Sequence, residues 1–210
     1  MALLPPIPPD RGRSVAAAFT GAQILVIGDA MLDRFIVGRV TRISPEAPVP
    51  IVAFDHETCR IGGAANVAHN VTALGGRATL VAVTGEDDAA ATLTRACHDA
   101  GISPSLIGDA ARQTTTKVRI VTERRQQVAR IDYEADTEIS GAIENRLVTA
   151  AQQQAAQASA IVISDYLKGV ITRRVVQAVI AAAGERGVPV LVDPKIPHVE
   201  YYAGAHVVTP

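Results

Sequence analysis

Ile24-Leu25-Val26-Ile27, stopped by Gly28-Asp29, is a run of four apolar residues without polar alternation. A strand of that kind expects cover on both faces, the condition of strands in parallel sheets. The pattern returns in Thr79–Val83 before Thr84-Gly85, Ile161–Ile163 before Ser164-Asp165 and Val190–Val192 before Asp193-Pro194. A last run, Val207-Val208, meets Thr209-Pro210. Between these runs lie stretches that suit helices: Ala64–Leu74, Asp88–Ala100, Gly141–Ala158 and Thr172–Arg186. Thr172 is placed to cap the last of them and Gly187 to end it. Strand–helix alternation of this sort implies right-handed crossovers and a doubly wound, mainly parallel α/β sheet.

Two segments break the rhythm. Residues 34–60 hold two strand-like pieces around a Pro-rich turn, and residues 114–134 read as a hairpin turning at Glu123-Arg124-Arg125-Gln126. Neither has the composition of a crossover helix, so both are expected to leave the sheet as a small β lid over the strand ends. Residues 1–20, with their early prolines, read as a flexible, extended arm, and residues 21–210 as one α/β unit carrying the lid.

Composition narrows the function. The 210 residues are 48% hydrophobic but only 3% aromatic, so the core is built from Ala, Val, Ile and Leu. Lys and Arg number 20 against 21 Asp and Glu, a net charge of -1 that argues against a nucleic-acid partner. Cys59 and Cys97 have neither metal spacing nor a disulfide framework, which suits a reducing cytoplasm. The first ten residues lack the basic and apolar regions of a signal peptide, and Val175–Ala183 is too short to span a bilayer, so no membrane role is expected.

In open α/β sheets ligands lie outside the carboxyl ends of the strands. That rule selects Asp29, Asp33, Asp165 and Asp193, although a carboxylate there is also a common cap or turn former. Gly62-Gly63-Ala64-Ala65-Asn66 precedes a helix; paired glycines admit a ligand close to the backbone, and Asn66 can donate to and accept from hydroxyls. A tight turn packing the helix on the sheet would account for the glycines equally. The motif is neither a Walker A loop nor a dinucleotide fingerprint. In the hairpin, Thr115, Lys117 and Arg119 share one face, and Arg130 and Asp132 return beside them. If that face looks onto the sheet edge, the cations form an anion clamp; otherwise they are a solvated surface. Lys168 and Lys195 add positive charge near Asp165 and Asp193. A polyhydroxylated small molecule carrying phosphate would satisfy acids, amide and cations together.

Three motifs then carry a resemblance. Val26-Ile-Gly-Asp-Ala-Met-Leu-Asp33, Arg42-Ile-Ser-Pro-Glu-Ala-Pro-Val-Pro50 and Gly62-Gly-Ala-Ala-Asn-Val-Ala68 resemble the ribokinase-like, PfkB-type carbohydrate kinases, and within them the bacterial heptose 7-phosphate kinases. Ser164–Gly169, Val192–Lys195 and Val208–Pro210 agree in order. The resemblance implies sugar contacts at Asp33, Gly62, Gly63 and Asn66, a β lid that doubles as a homodimer surface, and ATP with Mg2+ as the phosphoryl donor. It implies phosphorylation of a heptose 7-phosphate at C1, toward the ADP-heptose precursor of lipopolysaccharide.

The family's nucleotide-binding segment would follow Thr209-Pro210, and no Gly-x-Gly-Asp carrying the general base occurs in these residues. Loss of a general base costs ~10²–10⁴ in rate. These 210 residues alone are therefore expected to lack kinase activity, with no catalytic residue among them. Two other readings stay open: a non-catalytic sugar-phosphate-binding protein, and a kinase of the same fold for another sugar.

Overall fold

A computed structural model describes residues 7–209. In chain order the elements are α1 (Pro9–Ala17), β1 (Gln23–Gly28), β2 (Ala30–Ile43), β3 (Pro50–Gly63), α2 (Ala64–Ala73), β4 (Arg77–Thr84), α3 (Asp88–Asp99) and β5 (Ile102–Gly108). They continue as β6 (Thr116–Thr122), β7 (Gln127–Tyr133), α4 (Gly141–Ala155), β8 (Ala160–Ser164), α5 (Arg173–Gly184), β9 (Val190–Asp193), a 3₁₀ segment (Ile196–Tyr202) and β10 (Val207–Val208).

Six strands form one sheet in the order β10-β9-β8-β1-β4-β5, and every pairing in it is parallel. The reason is visible in β1. Leu25 and Ile27 face a core shared with Leu147, Ala151, Val175 and Val179 of α4 and α5. Val26, between them, faces Ala64, Ala65, Ala68, Leu93 and Cys97 of α2 and α3. Both faces are covered, so an uninterrupted apolar run is what this strand needs. Small Ala faces on α2 let that helix sit close to the sheet.

The helix ends follow ordinary capping chemistry. The Thr172 hydroxyl accepts the Val175 N–H at 3.1 Å. At the other end Gly187 takes φ 65° and Val188 N–H returns to the Ala183 carbonyl at 3.0 Å, ending α5 as expected.

Residues 30–63 and 116–133 leave this sheet and make a second one, ordered β3-β2-β6-β7. β2 pairs antiparallel with β3 over almost its whole length, parallel with β6, and β6 antiparallel with β7. The hairpin turn contains Arg125 at φ 60°. The strands β2 and β3 begin and end at the rim of the first sheet, so they run further than the segment 34–60 expected for them.

Two expectations are corrected. Part of the presumed extended arm is the helix α1, started by Pro9 at a first-turn position where its missing N–H costs nothing, and none of its residues is buried. Residues 1–6 of that arm lie outside the described residues. The edge strand β5 was not foreseen because Ser103-Pro104-Ser105 interrupts any apolar run; Pro104 is tolerated there because β5 pairs only with β4.

Candidate functional site

The chain runs from β1 out to β4 and β5 on one side, then returns to β8, β9 and β10 on the other. The order therefore reverses between β1 and β8, and the crevice outside their carboxyl ends is where an open α/β sheet receives ligands. The base of the β2–β3 hairpin stands at this point, with Ala30 paired to Gly63 and Met31 to Gly62.

Here lies a hollow of about 500 Å³. Asp33, Gly62, Gly63, Asn66, Lys117 and Arg119, six of the residues expected from sequence, line it together. Met31, Phe35, Arg60, Ile61 and Tyr166 complete the wall. Met31 and Phe35 were legible in principle, since they lie two residues either side of Asp33 and share its strand face. Arg60 was not, because only the β2–β3 register sets it opposite Asp33. Another hollow of about 430 Å³, lined by Gln23, Arg77 and Gln154, lies at the amino ends of the strands, the wrong edge for this fold.

The second sheet supplies an ordered row of charge. Asp33 is paired with Arg60 on β3 and with Lys117 on β6; one step along the same face, Phe35 is paired with Arg119, which is paired with Arg130 on β7. Arg119 forms an ion pair with the Oδ1 of Asp33. That leaves the Oδ2 of Asp33 with lone pairs available. Gly62 keeps it accessible: a Cβ there would stand 2.6 Å from Oδ2. Gly63 has a different task. Its φ is 57° and a Cβ would lie 2.2 Å from the Asp29 carbonyl oxygen, so only glycine lets β3 turn directly into α2.

Lys117 is already neutralised, 3.5 Å from Asp132 and 3.4 Å from Glu134. Lys168 binds the same Glu134 at 2.9 Å and Asp136 at 2.9 Å, tying β7's end to the loop after β8. Burial works to lower the Lys168 pKa, but its carboxylate partners outweigh that and raise it. Asp132 shows the converse: burial would raise its pKa, yet Arg130 at 2.9 Å and Lys117 hold it below the ordinary value.

The remaining expected site residues are placed elsewhere. Asp29 is buried and spends both carboxylate oxygens on backbone N–H donors: Tyr166 at 2.7 Å, Lys168 at 3.2 Å and Val170 at 3.1 Å. Burial raises its pKa, and these donors offset part of the rise. Asp165 is also sealed in, accepting from Leu167 N–H and the Tyr202 hydroxyl and lying 2.6 Å from His198 Nδ1. Neither touches the hollow; both shape the loop that presents Tyr166 to it. Arg130 is half-exposed and occupied with Asp132, and Lys168 is occupied with Glu134 and Asp136. Asp193 and Lys195 lie behind Tyr166: the Lys195 ammonium is 5.1 Å from its ring centroid. Burial, with Asp193 and Asp33 nearby, raises the Tyr166 phenol pKa.

This parallel sheet, with a crevice at its β1–β8 switch point and a second sheet beside it, is the architecture of an α/β protein that takes a small molecule at the carboxyl edge of its strands. The sequence profile described as "pfkB family carbohydrate kinase" matches residues 22–210, and the chain belongs to that family. It is 47% identical over 194 residues to the bifunctional protein HldE of Caulobacter sp. (strain K31), covering 92% of this chain and 39% of that one. It is 46% identical over 189 residues to the D-beta-D-heptose 7-phosphate kinase of Bordetella bronchiseptica, covering 90% of this chain and 59% of the relative. The chain thus spans 39% and 59% of the length of these two relatives. Among solved structures it superposes on a carbohydrate kinase from Agrobacterium tumefaciens with TM-score 0.68 at 19% identity, over 89% of this chain and 60% of that one. It also superposes on the tetrameric inhibited form of Escherichia coli phosphofructokinase-2, with TM-score 0.65 at 18% identity, over 87% and 57%.

Proposed function

We propose that the hollow binds a heptose 7-phosphate and that this chain supplies the sugar-binding part of a kinase phosphorylating it at C1. One observation carries the reading: Asp33 and Asn66, which can hold hydroxyls, face the same space as the cationic strand of the second sheet. Oδ2 of Asp33 would accept a sugar hydroxyl, the Asn66 amide would bridge others, and the second sheet would close over the ring. The name of the Bordetella bronchiseptica relative, a heptose 7-phosphate kinase, supports this sugar over others.

ATP with Mg2+ is the proposed phosphoryl donor. Among the described residues no three His, Cys, Asp or Glu side chains are grouped to hold a metal ion. The role proposed for these residues is sugar binding and orientation. Positioning of this kind is a large part of catalysis in phosphoryl transfer.

A second copy of the chain is the proposed partner, docking on the second sheet, where Val40, Phe54, Ile131 and Tyr133 are exposed. Among the described residues no helix is long and apolar enough to cross a membrane.

Calorimetric titration with heptose 7-phosphate, fructose 6-phosphate and ribose tests the reading. Heptose 7-phosphate should bind tightest, and Asp33→Asn should weaken it by about tenfold, as for a lost charge-assisted hydrogen bond. Equal binding of all three sugars, or none, overturns it.

A further inference from the structure

Three cations line the hollow, and two are spoken for. Arg119 is paired with Asp33. Lys117 belongs to a closed network in which Lys117, Arg130 and Lys168 face Asp132, Glu134 and Asp136, three charges against three. A phosphate on Lys117 would have to compete with Asp132 and Glu134, two partly buried carboxylates that already neutralise it. Arg60, directly across from Asp33 on β3, forms no ion pair among the described residues. Its guanidinium carbon lies 5.4 Å from the centroid of the Phe35 ring, against which the group is ordered. Arg60, Ile61 and Asn66 also line an adjoining hollow of about 680 Å³, so there is space beside the guanidinium for a further group.

From this charge balance we infer that Arg60 receives the phosphate of the sugar and sets the preference for a phosphorylated over an unphosphorylated ligand. The inference rests on the sugar-phosphate reading above and names the residue that reads the phosphate. A guanidinium presents paired N–H donors that match two phosphate oxygens, which an ammonium does not. Neighbouring strands are ~5 Å apart, so a phosphate on Arg60 and a hydroxyl on Asp33 are separated by a span that one sugar phosphate covers. Arg119, also 5.4 Å from the Phe35 centroid, keeps Asp33 in place and leaves the anion to its neighbour.

The experiment is a calorimetric titration of the 210-residue protein and three variants, Arg60→Gln, Arg60→Lys and Arg39→Gln, with heptose 7-phosphate and with unphosphorylated heptose. Arg39 sits on β2 outside the hollow and pairs with Glu123, so its loss controls for a general change of charge. Arg60→Gln should lose about 10- to 100-fold in affinity for the phosphorylated sugar. It should lose less than threefold for heptose, Arg60→Lys should fall between, and Arg39→Gln should match the parent. Far-ultraviolet circular dichroism confirms folding, which an exposed site such as Arg60 should permit. If Arg60→Gln keeps the parent's preference, or Arg39→Gln loses as much, Arg60 does not read the phosphate. If the parent protein itself shows no preference for the phosphorylated sugar, the functional reading falls and the inference with it.

Discussion

Asp29 and Tyr166 are 137 residues apart in the chain, yet the carboxylate of the first accepts the backbone N–H of the second at 2.7 Å. With the Lys168 and Val170 bonds, this contact fastens the loop after β8 to the end of β1 and so sets one wall of the hollow. Asp29→Ala would leave three inward N–H groups without acceptors. A loss of ~2–4 kcal/mol is expected in urea denaturation, together with weaker sugar binding. A variant as stable as the parent would show that the loop is held by other contacts.

The two adjacent glycines should separate stability from binding. Gly63→Ala forces a side chain into positive φ and against the Asp29 carbonyl, and should destabilise by ~2 kcal/mol or more. Gly62→Ala meets no backbone, only the end of the Asp33 side chain, 2.6 Å away at Oδ2, and Met31 Cγ at 3.3 Å, both of which can shift. Its denaturation midpoint should change little while affinity for heptose 7-phosphate falls about tenfold, since Oδ2 leaves its place. Calorimetry and denaturation of both proteins check the contrast.

Lys168 gives a pH signature. Its folded-state pKa lies above the ordinary value of 10.5, so its partners Glu134 and Asp136 stabilise the folded protein fully below that value. The contribution is lost as pH rises through the folded-state pKa. Lys168→Met should cost about 0.5–1 kcal/mol at pH 7, as for a pair partly open to water. Parent and variant should converge in strongly alkaline solution. A gap that stays constant across that range would assign the difference to packing of the lysine stem.

The two thiols should behave differently. Burial pushes the Cys97 thiol up to about 11, whereas Cys59 is exposed. At pH 8 roughly one Cys97 in a thousand carries the thiolate form that reacts. Titration with a disulfide reagent should therefore count one reactive thiol in the native protein and two in denaturant. Two fast thiols in the native protein would mean that the α3 face opens readily.

The chain order alone was enough to read the parallel sheet, its main helices and six of the eleven residues around the hollow. Those features are local: a strand covered on both faces must be continuously apolar, and a residue just past such a strand must stand at the sheet edge. Tertiary structure decided the rest. Asp29 and Asp33 sit in one motif and were indistinguishable as acids, but burial beneath the 166–170 loop makes the first a structural acceptor, while the emergence of β2 into solvent makes the second a wall of the site. Which cations remain available to an anion is likewise a property of register. Arg60, Lys117 and Arg119 come from three different strands, and whether each meets a carboxylate depends on how those strands align, which no stretch of the sequence read by itself expresses.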